Sequence, residues 1–190
     1  PVRGRILPDS FIPLAEETGH IRQLTEWVVF QAIEDQKALR RSGFDLPISV
    51  NISGRQLSDD GFALCAIGKV RGAGARLCSE ITETAVISDP EKVLSLIHLF
   101  RGAGISISID DYGAGLSSLS YLKQIPAHEL KIDKSFILEI ENGQTDRLMI
   151  HSTIELAHAL GMSVVAEGVE NERVVEILRE MGADSLQGYH

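Results

Sequence analysis

No apolar run in this sequence approaches the roughly 18 residues that a membrane-spanning helix requires, so no transmembrane helix is expected within it. Its first residues lack the basic, apolar and small-residue succession of a secretory leader. Cysteine is scarce: Cys65 and Cys78 form no disulfide framework, and a reduced cytosolic thiol pair is expected. Positive charge is in short supply too, with 18 Lys and Arg against 27 Asp and Glu and a formal net charge of −9. A chain that acidic has no broad attraction for DNA or RNA, which excludes a nucleic-acid polymer as partner. If it acts on a phosphate compound, the positive charge must come from individual lysines or bound cations. No linker, low-complexity tract or heptad array divides the 190 residues, which suffice for one domain with a real core. An initiating Met is missing as well, so the chain, starting at Pro1, reads as a piece of a longer protein.

What the sequence does contain is a repeated alternation of short β-rich runs with amphipathic helical stretches. A first helix is expected from about His20 to Arg41, where Ile21, Leu24, Val28, Val29 and Ile33 lie on one stripe, and it ends at Gly43. Strands are expected at Pro47–Asn51, Arg76–Ile81, Ile105–Asp110, Glu129–Ile132 and Met162–Ala166, with a last one ending near Gln187. Helices are expected between them near Asp59–Val70, Pro90–Arg101, Ser117–Lys123, Asp146–Leu160 and Asn171–Met181. Gly102, Gly161 and Gly182 fall where helices should stop. Six such alternations build a parallel sheet, either open and doubly wound or closed as a barrel. No glycine-rich phosphate fingerprint follows the first strand, which weakens the nucleotide-binding open sheet. The α/β class is therefore read as a TIM-like (β/α)8 barrel whose first two strands are absent from this chain, since eight strands ordinarily take about 250 residues.

Each expected strand delivers a polar or charged residue at its C-terminal end: Asn51, Glu80, Asp110 with Asp111, Lys131, Glu167 and Gln187. In a barrel those ends open onto one face, where barrel active sites lie. Singly, each has a structural explanation. Glu80 and Glu83 suit the start of a helix, Asp110-Asp111 before Gly113 suits a turn, and Lys131 could pair with Asp133 or another surface carboxylate. Asn51 could cap a helix, and Gln187 could satisfy a backbone group. Jointly they are harder to dismiss, because clustered carboxylates repel unless protons or cations neutralise them. Oxygen donors from Asp, Glu and Asn suit hard ions such as Mg²⁺ or Mn²⁺ over zinc, and no His stands at a strand end. Adjacent Asp110 and Asp111 could serve two ions of the kind, about 3.5–4 Å apart, that attack phosphate esters in line. Lys131 would then orient the attacking water or neutralise a phosphate oxygen. The Gly113-Ala114-Gly115 turn reads as a flexible active-site loop, with Ser117 and Ser118 beginning the short helix.

At these residues the sequence resembles the EAL domain family from near its start to its end. In order, "PDSFIPLAEETG" (Pro8–Gly19), "VNISGRQL" (Val50–Leu57), "EITE" (Glu80–Glu83), "IDDYGAGLSSLSYL" (Ile109–Leu122), "LKIDKSF" (Leu130–Phe136), "VVAEGVE" (Val164–Glu170) and "QGYH" (Gln187–His190) match its motifs. The resemblance implies a single barrel domain over residues 1–190, incomplete at its start and slightly at its end, whose complete form hydrolyses the bacterial messenger cyclic di-GMP to linear pGpG with two Mg²⁺ or Mn²⁺ ions. The 190-residue chain by itself is expected to be inactive. It places Asn51, Glu80, Asp110, Asp111 and Glu167 at metal positions and Lys131 against the catalytic water. Gln187 becomes a supporting polar residue of the substrate site, Glu170 a contact to the guanine base, and Glu83 the anchor of the Asp111–Ser118 loop. A homodimer, fusion to sensory or GGDEF-type domains, and a cytoplasmic location, free or as part of a membrane-anchored protein, are implied as well.

Some features depart from the family pattern. The strand bearing Glu-Ala-Leu, with a metal-binding Glu and a substrate-contacting Arg, would lie just before Pro1, and the chain stops at "QGYH" short of the family's closing residues. Gly54 stands for the common Ala, Tyr112 for the common Phe, and Cys78 lies in the strand before Glu80. Three functions therefore compete: a metal-dependent phosphodiesterase, a non-catalytic cyclic di-GMP receptor, and a Schiff-base aldolase built on Lys131. The intact ligand positions favour the first over the second. The third needs an apolar pocket that lowers the lysine pKa, whereas a ring of carboxylates raises it.

Overall fold

The computed structural model describes residues 4, 6–114, 122–141 and 143–189. Its six strands are β1 (Ile48–Asn51), β2 (Leu77–Thr82), β3 (Ser106–Tyr112), β4 (Glu129–Ile132), β5 (Ser163–Val169) and β6 (Ser185–Gly188). All neighbours pair in parallel, and the sheet order follows the chain from β1 to β6 without a reversal. A doubly wound sheet must reverse at a switch point. This one never does, so it winds in a single sense as a TIM-like barrel does, and it forms an open half-barrel. Among the described residues β1 and β6 each have one strand neighbour.

The helices are α1 (Pro8–Glu17), α2 (Ile21–Arg41), α3 (Asp60–Ala73), α4 (Glu83–Ser88), α5 (Pro90–Gly102), α6 (Lys134–Ile137), α7 (Gln144–Ala159) and α8 (Glu172–Glu180). Local chemistry sets several of their ends. Asp59 accepts the Phe62 amide at 3.1 Å to cap α3, Asn171 accepts the Val174 amide at 3.0 Å to cap α8, and Gly74 closes α3 in the left-handed conformation. The expected elements are present with ends moved by no more than a few residues. Three helices were not expected: α4 and α6 are too short for an amphipathic period, and α1 buries no residue and carries Pro13 inside it. The short helix expected at Ser117–Lys123 falls largely outside the described residues. No helix of the described residues is long and apolar enough to cross a membrane.

Strand residues alternate between two faces, and the register sorts them by chemistry. One row aligns Ile81, Ile109, Leu130 and Val164, and the next Ile132, Ala166 and Leu186. This face meets the helices, and Ile81, Leu130, Val164 and Ala166 are fully buried with Phe62, Phe100, Ile97 and Ile154. The opposite face is mainly polar, with Cys78 and Val165 as exceptions. Asn51 aligns with Glu80, Glu80 with Ser108, Ser108 with Glu129 and Glu129 with Ser163. Farther along, Lys131 aligns with Val165 and Glu167 with Gln187. The concave lining of the half-barrel is thus mainly a column of hydroxyls, carboxylates, amides and one amine, with the hydrocarbon core on the outside.

Candidate functional site

Lys131 organises the mouth of this lining. Its ammonium lies 2.7 Å from Glu167 Oε1, 3.0 Å from Asp110 Oδ1 and 3.4 Å from Glu80 Oε1, so β4 is tied to β2, β3 and β5 through one nitrogen. The lysine is 6% exposed. Burial works against its charge, but the hydrogen bonds it donates to Glu167 and Asp110 and the charge of Glu80 outweigh burial and hold the amine protonated, above the usual lysine range. The pairing with Asp133 or a surface carboxylate is therefore not the one formed. The partners are carboxylates inside the half-barrel.

One ammonium does not balance the cluster. Oxygens of Asp110, Asp111 and Glu167 all lie within 4.8 Å of one another, and Glu80 Oε1 is 3.4 Å from the Lys131 ammonium. Four carboxylates against one amine leave three negative charges in a confined space. Burial, then the neighbouring charges of Asp110, Asp133 and Glu167, push the Asp111 carboxyl above the usual carboxylate range even with Lys131 opposing them. That upward shift marks a site short of positive charge.

The backbone delivers these groups through two irregularities. The β3–β4 register shifts between Ile109 and Tyr112, and the β5–β6 register shifts between Glu167 and Val169. Each shift holds a left-handed residue: Asp111 at φ 55°, the non-glycine residue with positive φ among those described, and Gly168 at φ 73°. Such kinks re-aim side chains at strand ends. Asp110 and Asp111, neighbours that ordinary pleating would send to opposite faces, thereby reach one cluster, and the Asp111 amide donates to Asp110 Oδ1 at 3.1 Å. Turn chemistry and clustering coexist here.

Glu83 begins α4 and sends its carboxylate back across to β3, where Oε2 accepts the Gly113 amide at 3.0 Å. The side chain is buried at 6% exposure. The loop it was expected to anchor is described only as far as Ala114, and Ser117 and Ser118 lie outside the described residues. Asn51 ends β1 beside Glu80 and caps no helix, since Asp59 caps α3. Gln187 is exposed beside Glu167 on β6, and Glu170 is exposed just past β5. Sequence reasoning missed the layer beneath the mouth, where Ser108, fully buried, donates to Glu129 Oε1 at 2.9 Å. The signal was present as the period-two alternation of Ser106, Ser108 and Asp110 with Ile105, Ile107 and Ile109.

The family model described as "EAL domain" matches residues 1–190. The chain is 39% identical over 197 residues to the bifunctional diguanylate cyclase/cyclic di-GMP phosphodiesterase MucR of Pseudomonas aeruginosa, covering 100% of this chain and 28% of that protein. It is 37% identical to the cyclic di-GMP phosphodiesterase NbdA of the same organism, covering 100% of this chain and 25% of that one. The chain thus spans about a quarter of the length of these curated relatives. Among solved structures, a complex of the P. aeruginosa MucR phosphodiesterase with c-di-GMP superposes with a TM-score of 0.92 at 38% identity, over 99% of this chain and 78% of that one.

Proposed function

This chain belongs to the EAL domain family, and from that membership we propose that it is the catalytic barrel of a metal-dependent phosphodiesterase that opens cyclic di-GMP to linear pGpG. The observation that carries the reading is the uncompensated charge around Lys131: three carboxylate donors within 4.8 Å and a fourth beside the ammonium. An all-oxygen donor set with excess negative charge fits hard divalent cations. Asn51, Glu80, Asp110, Asp111 and Glu167 would hold two Mg²⁺ or Mn²⁺ ions. When bound, these would supply an activated water and neutralise phosphate oxygens.

The chain's own residues account for the rest. Lys131, set among three carboxylates that favour its charged form, is poorly suited to act as a base or form a Schiff base, which argues against the aldolase reading. It can donate to the attacking water or to a phosphate oxygen while Glu167 and Asp110 fix its position. Water adds to phosphorus, one ring P–O bond breaks, and the leaving ribose oxygen takes a proton. Glu83 holds the Gly113 turn next to Asp111, while Gln187 and Glu170 border the mouth as substrate-facing groups. The curated relatives being about four times as long supports a further reading: the chain works within a multidomain signalling protein, for which the family resemblance suggests sensory or GGDEF-type domains, a homodimer and a cytoplasmic location.

The test is hydrolysis of cyclic di-GMP after chelation and add-back of single ions to the protein that contains this chain. Mg²⁺ and Mn²⁺ are expected to restore turnover. Ca²⁺ is expected to bind without supporting it, because it takes more ligands at longer distances. Binding of cyclic di-GMP without turnover under Mn²⁺ would replace the enzyme with a receptor.

A further inference from the structure

Helix α6 is a single turn that follows Lys131 after Ile132 and Asp133, and it touches both bends that carry the acidic cluster. A Cβ on Gly113 would overlap Phe136 Cε2, and one on Gly168 would lie 2.5 Å from Lys134 Cβ. Both glycines have positive φ, at 101° and 73°. The Phe136 ring therefore packs against the backbone two residues after Asp111, and the Lys134 stem against the backbone one residue after Glu167. Helix α6 is itself pinned: Asp133 accepts the Ser135 amide at 2.9 Å, the Asp133 amide donates to Tyr112 O at 3.2 Å, and Ile137 is buried at 1% exposure.

From this packing we infer that α6 is a positioning element and Phe136 a positioning residue. The ring and the Glu83 carboxylate grip the Gly113 turn from two sides, and that grip holds Asp111 in its left-handed conformation. A non-glycine residue at φ 55° stores strain that persists only where its surroundings over-determine it. Gly113 gives up its side chain so that an aromatic ring can lie on it, and Gly168 does the same for Lys134. The two kinks are thus indexed to one rigid turn instead of floating on separate loops. Lys131, a few residues upstream on the same segment, is indexed with them. Residues that orient ligands without touching the metal ordinarily change affinity by about 10–100-fold when lost.

The inference rests on the metal reading above only in its last step, and the experiment keeps the two apart. Amide exchange of the metal-free protein is followed by NMR in Phe136→Ala, Phe136→Val, Phe136→Leu and Gly113→Ala, alongside a Mn²⁺ titration read by electron paramagnetic resonance. Phe136→Ala is expected to speed exchange at residue 113 about tenfold while Val164 and Ile150 in the core are unchanged. It is expected to weaken Mn²⁺ binding about tenfold, with Phe136→Leu restoring most of both. Gly113→Ala, whose methyl must displace the ring and also strains the backbone at φ 101°, should repeat the Phe136→Ala result. The milder truncation Phe136→Val, expected to show a smaller effect in the same direction, decides the matter if Phe136→Ala does not fold. Unchanged exchange at residue 113 in a folded variant, or uniform acceleration across β1 to β6, overturns the proposal. Wild-type protein that binds no Mn²⁺ removes the metal reading, and the exchange data still judge the clamp.

Discussion

The two ends of the half-barrel use the same residue types to opposite ends. At the N-terminal ends of the strands, polar side chains are spent on neighbours. Asp45, before β1, meets Arg40 and Arg76 at 3.3 Å and accepts from Gln36 at 3.1 Å. The Ile107 amide donates to His128 Nδ1 at 3.1 Å before β4. Asp184, before β6, accepts the Val164 amide at 2.7 Å and meets His158 Nε2 at 2.8 Å. Each carboxylate there has a cation or donors of its own. At the C-terminal ends, Glu80, Asp110 and Glu167 compete for one ammonium while Asp111 is pushed upward in pKa. Matched polar groups hold strands in register, and mismatched ones concentrate unbalanced negative charge in one place. The same division of labour between barrel faces is general.

The largest effects should fall at the mouth. Asp111→Asn removes one ligand charge and leaves packing alone, and Asn tolerates the left-handed region that Asp111 occupies. Turnover of cyclic di-GMP is expected to fall by at least about 10³-fold with melting shifted by no more than a few degrees. Near-normal turnover would mean that charge mismatch does not mark the reactive end. Lys131→Met sharpens the point. It leaves four carboxylates facing one another without a cation, and losing one partner of a buried ion pair costs about 3–5 kcal/mol. The metal-free variant should therefore melt well below wild type and regain part of the difference with Mn²⁺. Equal melting with and without Mn²⁺ would show that the cluster does not draw cations.

Much of the site was legible because each strand ends on a chemically loud residue: Asn51, Glu80, Asp110, Lys131, Glu167 and Gln187 stand at or near the last positions of β1 to β6. The parallel sheet was legible from the unbroken β-α alternation, and its winding in a single sense only from the missing glycine-rich fingerprint and the polar residues at the strand ends. Three things were not. The lysine's three partners depend on stagger between strands, which a linear sequence does not encode. The kinks at Asp111 and Gly168 come from register shifts that have no local signature beyond the glycines. Helix α6 is only Lys134–Ile137, too short for any periodicity to report, yet it abuts both kinks. The hydroxyl layer around Ser108 and Glu129 was encoded in plain alternation and overlooked because the strand ends drew the attention.

Smaller effects belong to the opposite end. Asp184→Ala removes the acceptor of the Val164 amide and the partner of His158, and is expected to cost about 1 kcal/mol with turnover unchanged. The His158 hydrogen bond, then the Val164 amide, hold the Asp184 carboxyl below the usual carboxylate range. A carboxylate whose folded pKa is depressed contributes stability above its unfolded value, about 3.9, and loses it as pH falls through the folded value. The wild-type advantage over Asp184→Ala should thus be full at neutral pH and shrink below about pH 4. An advantage that grew on acidification would reverse the assignment. A loss of turnover equal to that of Asp111→Asn would erase the distinction between the two ends.

The smallest effect concerns Cys78, which lies on β2 two residues before Glu80 and aligns with Ser49 and Ser106 on the polar face. Burial, then the charges of Glu129 and Glu80, push its thiol up to about 12. The negative field of the mouth therefore reaches down the lining, and Lys131 offsets only part of it. An ordinary thiol, with a pKa near 8.5, is about one quarter thiolate at pH 8, whereas one near 12 is thiolate on the order of once in 10⁴ molecules. A maleimide or disulfide reagent at pH 8 should therefore modify the half-buried Cys65 first and leave Cys78 at least about a hundredfold behind. Denaturation should bring the two rates together, since both burial and the neighbouring carboxylates are then removed. Equal rates in the native protein would mean that the lining is open and its charges already balanced, and the contrast between the two ends of the half-barrel would narrow to Lys131 and its nearest partners.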